Sequence, residues 1–259
     1  MIRIRQIGLL LSLLSGLSTA VAEQLSIAVA SNFTAPMREI ALEFEKATGH
    51  QLRISYGSSG KFFAQISHGA PFQVFLSADQ AKPAALCDAG LAVSASQFSY
   101  AIGALALWSP KSNTVDEQGA ILRTGNFNKL AIANPLLAPY GRAAVEVLKH
   151  LKLDEVTRDK WVTGENIAQT YQYVSTGNAE IGFVAVSQVI ENGSLKSGSA
   201  WILPSDLYSP IKQDAVLLTS AKDNQVAKAF IAYLKGSEAQ KIIRAYGYSV
   251  AETNKPKGK

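Results

Sequence analysis

Arg53-Ile-Ser-Tyr-Gly-Ser-Ser-Gly-Lys-Phe-Phe-Ala-Gln-Ile66 reads as a strand that passes through a glycine-flanked serine pair directly into a helix. Leu52, Ile54 and Tyr56 alternate with Arg53 and Ser55, the period of a strand. From Gly60 the apolar positions shift to Phe62, Phe63 and Ile66, the spacing of a helix face. Ser58 and Ser59 therefore stand where the first N–H groups of a helix have no intrahelical acceptor. With two hydroxyls added, such a terminus is a ready site for an anion. A serine in this position is also an ordinary N-cap, so the reading turns on whether the construction recurs.

It recurs three times. Upstream, residues 25–30 alternate as a strand. Ser31-Asn32 follows, then a helix with Phe33, Met37, Ile40, Ala41 and Phe44 on one face and Gly49 just past its end. Downstream, residues 72–77 form a third strand and Ala78-Asp79-Gln80 opens another helix. Strand and helix alternate through short connections, the mark of an α/β fold with mainly parallel sheets flanked by helices. Ligands of such sheets bind beyond the carboxyl ends of the strands, the edge that carries Ser31 and Ser59. Residues 100–108 read as one continuous apolar strand ended by Ser109-Pro110. A second alternating set follows: strand 130–133, helix 141–151, helix 167–176 and strand 181–186. After an extended segment at 206–218 come two closing helices, 224–235 and 237–245. The extended stretches near 99–102 and 206–211 read as two crossover segments between two lobes, one made of residues 23–100 and 207–259 and the other of 101–206. In the second lobe the breaker-rich loop Asn134 to Gly141 precedes a helix at Tyr140, and Thr163-Gly-Glu-Asn166 precedes one at Ile167. Four helix N-termini thus carry Ser31 with Asn32, Ser59, Tyr140 and Ile167, two per lobe, a layout suited to closing on a small ligand.

Composition narrows the ligand and the setting. Arg3 and Arg5, an apolar run over residues 7–17 and Ala20-Val-Ala22 form a secretory signal peptide over 1–22, with Glu23 as the mature start. The run is too short to span a membrane, and no cysteine lies at the cleavage point to carry a lipid anchor. Removing the signal lowers the formal charge from +5 to +3. With no basic stripe, this argues against nucleic acid as a partner. Cys87 is the single cysteine, so no intrachain disulfide forms; its surroundings make it a small core residue. Enzyme motifs are missing. Gly57 to Lys61 lacks P-loop spacing, no G-x-S-x-G elbow surrounds Ser58 or Ser59, and no His, Cys or carboxylate cluster has metal-ligand spacing. His50, His68 and His150 fall near helix C-termini, where the dipole favours a cation. Asp79 reads as a cap or an interlobe contact, the three tryptophans as packing residues, and Lys61 and Arg142 as pointing to solvent or biasing the ligand's approach. What remains is a set of neutral donors, which suits a dianion that must be both held and released. Each hydrogen bond to a charged group contributes roughly 1.5–3 kcal/mol, whereas a buried Lys or Arg costs several kcal/mol in desolvation.

The chain resembles the periplasmic molybdate-binding proteins that serve ABC importers, over nearly the whole mature sequence. The resemblance rests on Ala28-Val-Ala-Ser-Asn-Phe33, Tyr56-Gly-Ser-Ser-Gly60, Gly69-Ala-Pro71 with Val74-Phe-Leu-Ser-Ala-Asp79, and Ala133-Asn-Pro135 with Ala138-Pro-Tyr-Gly141. Glu180-Ile-Gly-Phe-Val184 and Tyr233-Leu-Lys-Gly236 with Tyr246-Gly247 complete it. It implies a two-lobed type II periplasmic-binding fold with no cofactor and no enzymatic activity. The ligand would be molybdate or tungstate, met by the hydroxyls and amides of Ser31 and Ser59, the amide of Ile167, and Asn32 and Tyr140. It further implies a periplasmic monomer that hands its ion to a membrane-embedded permease. One departure is Ala185, where many members carry a ligand tyrosine; Tyr140 is expected to supply the phenolic donor instead. The alternatives are another tetrahedral oxyanion such as sulfate, and an exported hydrolase using Ser58 or Ser59 with Lys61 as its nearest base.

Overall fold

The structure is a computed structural model that describes residues 24–250. The signal peptide at 1–22, the mature start at Glu23 and residues 251–259 lie outside the described residues. The first lobe opens with β1 (Gln24–Ala30), α1 (Thr34–Thr48), β2 (Gln51–Gly57), α2 (Ser59–Ser67), β3 (Val74–Leu76), α3 (Ala81–Asp88) and β4 (Phe98–Gly103). The second lobe holds β5 (Leu105–Ser109), α4 (Ala120–Thr124), β6 (Leu130–Ala133), α5 (Pro139–His150), α6 (Asp154–Thr157), β7 (Trp161–Gly164) and α7 (Ile167–Ser175). It continues through β8 (Ile181–Ala185), α8 (Val186–Val189), the small hairpin β9 (Ile190–Glu191) and β10 (Ser194–Leu195), and β11 (Ser199–Ile202). The chain then returns as β12 (Ile211–Leu217), α9 (Gln225–Lys235) and α10 (Ser237–Ala245).

Each lobe is built on one five-stranded sheet, ordered β2-β1-β3-β12-β4 in the first and β11-β5-β8-β6-β7 in the second. The strand–helix–strand units give the parallel pairs β1–β2, β1–β3, β6–β7 and β6–β8. The strands on either side of a crossing, β4, β5 and β12, pair antiparallel, because the chain reverses as it passes between lobes. Both sheets are therefore mixed. The apolar run at 100–108 is not one strand. It divides at Ala104 into β4, which stays in the first sheet as far as Gly103, and β5, which belongs to the second. An unbroken apolar run looks the same whether it serves one sheet or two.

Side-chain alternation places a core on each face. Leu25, Ile27 and Val29 of β1 pack with Met37, Phe44, Phe230 and Ile243 from α1, α9 and α10, while Ala28 faces Phe62, Phe75 and Leu86 on the side of α2 and α3. In the second lobe, Leu105, Ile132 and Phe183 meet Ala144, Val147 and Leu148 of α5, and Trp108 and Val184 meet Val174 of α7. Each buried Leu, Ile, Val, Met or Phe among these contributes roughly 1.5–3 kcal/mol. Trp108 stacks on Tyr171 and Trp161 lies under Arg158, so both are packing residues. Cys87 is half-buried against the α2–α3 core.

Candidate functional site

Counting donors at the helix termini picks out a candidate site. In α2, Gly60 N–H donates to Leu137 C=O across the lobes at 2.9 Å and Lys61 N–H donates to the Ser58 hydroxyl at 3.3 Å, which leaves Ser59 N–H. In α5, Pro139 has no N–H and Gly141 and Arg142 both donate to Ala138 C=O, which leaves Tyr140 N–H. In α7, Ala168 and Gln169 donate to Asn166 Oδ1 at 3.0 and 3.1 Å, which leaves Ile167 N–H. One donor per terminus is thus without a protein acceptor among the described residues, and each terminus carries the partial positive charge of its helix. Ser31 and Asn32 open the 3-10 turn that leads into α1.

All of these converge. One cavity between the lobes is lined by Ala30, Ser31, Asn32, Ser58, Ser59, Ala138, Tyr140, Asn166 and Ile167, with Gly57, Ala78 and Pro139 completing the wall. No charged side chain lines it. The lobes are drawn together, leaving about 10 Å³ for the centre of a water molecule, the room one water needs. The Ser59 hydroxyl accepts from Ala78 N–H at 2.9 Å, so its own proton remains to be given. The Ser31 hydroxyl donates across the cavity to Asn166 Oδ1 at 3.1 Å. A larger cavity of about 310 Å³ shares Ala78 and Pro139 with this one but is lined by Asp79, Arg142, Glu146 and Lys212. Its wall mixes two carboxylates with two cations, unlike the uncharged wall of the first.

Two side chains sit differently from the sequence reading. The Tyr140 hydroxyl, expected to face the anion, points toward the crossings, where it accepts from Gln213 Nε2 at 3.2 Å. Tyr140 meets the cavity with its main chain. Burial, with Tyr248 and Tyr100 close by, raises this phenol well above the usual tyrosine value, so it stays protonated. The Asn32 side chain is likewise turned inward, its Nδ2 donating to Gln213 Oε1 at 2.7 Å and to the Tyr248 hydroxyl at 2.9 Å. Lys61 and Arg142 do not simply point to solvent. They bridge the lobes to Glu165 at 2.6 Å and to Asp79 at 2.9 Å. Asp79 fills both of its expected roles, since it also accepts from Lys82 N–H at the start of α3. Ala185 is buried at the end of β8 and holds no polar group toward the cavity. The sequence reading overlooked Asn166 as the acceptor that joins the lobes. Its place one residue before an amphipathic helix was the available signal. It also overlooked Gln213, for which β-strand periodicity offers none.

Comparison with known proteins shows what the chain is similar to. The family model of bacterial extracellular solute-binding proteins matches residues 25–249. A molybdate-binding protein of Azotobacter vinelandii is 54% identical over 231 residues, covering 89% of this chain and 92% of the relative. A molybdate-binding protein of Rhodobacter capsulatus is 48% identical over 239 residues, with 92% and 93% covered. Among solved structures, a periplasmic molybdate-binding protein of Azotobacter vinelandii superposes with a TM-score of 0.86 at 40% identity, covering 88% of this chain and all of that one.

Proposed function

Because the chain belongs to the family of bacterial extracellular solute-binding proteins, we propose that it captures molybdate, and tungstate with it, in the cavity between its lobes. It is a binding protein rather than an enzyme, as its relatives are. The observation that carries the ligand reading is the set of donors around a wall without charge: the unspent N–H groups of Ser59, Tyr140 and Ile167 and the Ser59 hydroxyl, with the opening turn of Ser31 and Asn32 beside them and the Ser31 hydroxyl available once it gives up Asn166. Together they replace the water around a doubly negative ion, at roughly 1.5–3 kcal/mol for each charged hydrogen bond. The ion remains free to leave because no buried cation grips it.

A four-oxygen ion needs the lobes to stand further apart than they do here, and the Ser31 hydroxyl then turns from Asn166 to the ion. In this reading the first lobe, which runs through β4 to Gly103 and resumes at residue 207, closes against the second, and the expected boundary at 100 moves to Ala104. A monomer exported by its signal peptide works in the periplasm and hands the ion to the permease of an ABC importer. Calorimetric titration with molybdate, tungstate, sulfate and phosphate tests it. Tight binding of molybdate and tungstate with weak binding of sulfate is expected; sulfate bound as tightly as molybdate would overturn the assignment of ligand.

A further inference from the structure

Behind the cavity lies a buried polar cluster that takes no part in holding the ion: the side chains of Asn32, Tyr100, Tyr140, Gln213 and Tyr248. Gln213 is its centre. It is fully buried on β12, at the bulge where the pairing with β4 shifts between Gln213 and Asp214, and a bulge re-aims the side chain it carries. Gln213 Oε1 accepts from Asn32 Nδ2 at 2.7 Å and from the Tyr100 hydroxyl at 3.1 Å, while Nε2 donates to the Tyr140 hydroxyl at 3.2 Å. Asn32 Nδ2 can only donate, which orients the Gln213 amide with its oxygen toward the first lobe and its nitrogen toward the second. One side chain therefore holds a residue from each side of the ion site. Its position is that of a hinge. It lies just after the second crossing, and a Cβ on Gly103, at the first crossing, would collide with both the Tyr140 hydroxyl and Gln213 Nε2.

We infer that Gln213 is a positioning residue of the ion site: by tying Asn32 to Tyr140 across the hinge it sets how far the lobes close, and so the radius of the cavity, without touching the ion. This rests on the oxyanion reading above. Four-oxygen dianions share charge and shape, so discrimination among them turns on that radius. A buried network that served stability alone would, when broken, lower the melting temperature and weaken every oxyanion alike.

Three variants separate the two roles: Gln213→Met, which keeps the length and removes the hydrogen bonds, Tyr140→Phe, which cuts the same link from the other lobe, and the double variant. Molybdate and sulfate affinities are measured by calorimetry, alongside the melting temperature without ligand. Each single variant is expected to weaken molybdate binding by about tenfold, the scale of a lost buried hydrogen bond. Both should narrow the molybdate-to-sulfate ratio, and the double variant should lose no more than the worse single. Unchanged molybdate affinity in Tyr140→Phe, parallel losses for both ions, or losses that multiply in the double variant would each overturn the inference. If Gln213→Met fails to fold, Tyr140→Phe decides through the affinity ratio alone. A wild-type protein that binds none of the oxyanions would instead sink the ligand reading, which keeps the two failures apart.

Discussion

Ser59 offers the cavity two donors, and only one of them can be deleted. Its N–H belongs to the first turn of α2, while its hydroxyl is oriented by the N–H of Ala78 so that the proton faces away from that bond. Ser31 differs, because its hydroxyl already donates to Asn166 and must surrender that bond to serve an ion. A neutral hydrogen bond nets about 1 kcal/mol and a charged one roughly 1.5–3, so the two serines should not be equivalent. Ser59→Ala is expected to weaken molybdate binding by roughly 1.5–3 kcal/mol, at least tenfold in Kd. Ser31→Ala should cost about half as much, since only the difference between its two bonds is lost. Calorimetry on the two variants checks the order, and an equal or reversed order would show that the Ser31–Asn166 bond does not compete with the ion. Both serines were readable from the chain, because a hydroxyl between a strand and a helix has few places to be. Tyr140 was readable as a position but not as an atom: Pro139 and Gly141 identify the terminus, yet nothing in Pro-Tyr-Gly says that the phenol turns toward Gln213.

At the level of elements the candidate site is three α-helix starts, each with its other donors already occupied, beside the 3-10 turn of Ser31 and Asn32. α7 shows this most completely, since Asn166 Oδ1 accepts from Ala168 and Gln169 and leaves Ile167 alone to face the cavity. Asn166→Ala should destabilise the ligand-free protein by roughly 0.5–2 kcal/mol, the usual cost of a lost N-cap. It also frees the Ser31 hydroxyl, so molybdate affinity should hold or rise slightly while the melting temperature falls. A drop in affinity of tenfold or more would mean that Asn166 itself serves the ion. The helices themselves were legible from apolar spacing and caps: α10 occupies 237–245 as the periodicity implied, and α1 ends at Gly49 in the left-handed conformation at φ 74°. What failed to show was pairing. β7 is a four-residue edge strand, mostly half-exposed, too short for a period to register. Residues 100–108 hid the passage from one sheet to the other because both strands are buried and apolar on either side of Ala104. The antiparallel returns of β5 and β12 depend on where the crossings fall, which no local pattern encodes.

On the proposed reading the whole molecule closes around the ion, and its electrostatics set how firmly. Lys61–Glu165 spans the lobes with side chains 53% and 39% exposed, and such a surface pair contributes at most about 1 kcal/mol. Asp79 is a better latch. Its side chain is 11% exposed, and it meets Arg142 of the other lobe as well as Lys82 beside it. Burial alone would raise its pKa, but the hydrogen bonds and charge of Lys82, with the charge of Arg142, outweigh this and hold it below the ordinary value of 3.8. A carboxyl with a lowered folded-state pKa binds fewer protons folded than unfolded, so its stabilisation is complete above the ordinary value and fades as pH falls through the lowered one. Asp79→Asn should therefore melt at a lower temperature than the wild type at neutral pH, and the gap should close in acid beneath 3.8 as the wild-type carboxyl protonates. Because one of the two partners lies across the cleft, the same variant at neutral pH should also release molybdate faster, measured by stopped flow. Arg142→Gln should reproduce the faster release while leaving the Lys82 bond intact. Wild-type release rates in both variants would show that closure rests on the hydrogen bonds from Gly60 to Leu137 and at the hinge, and not on charge.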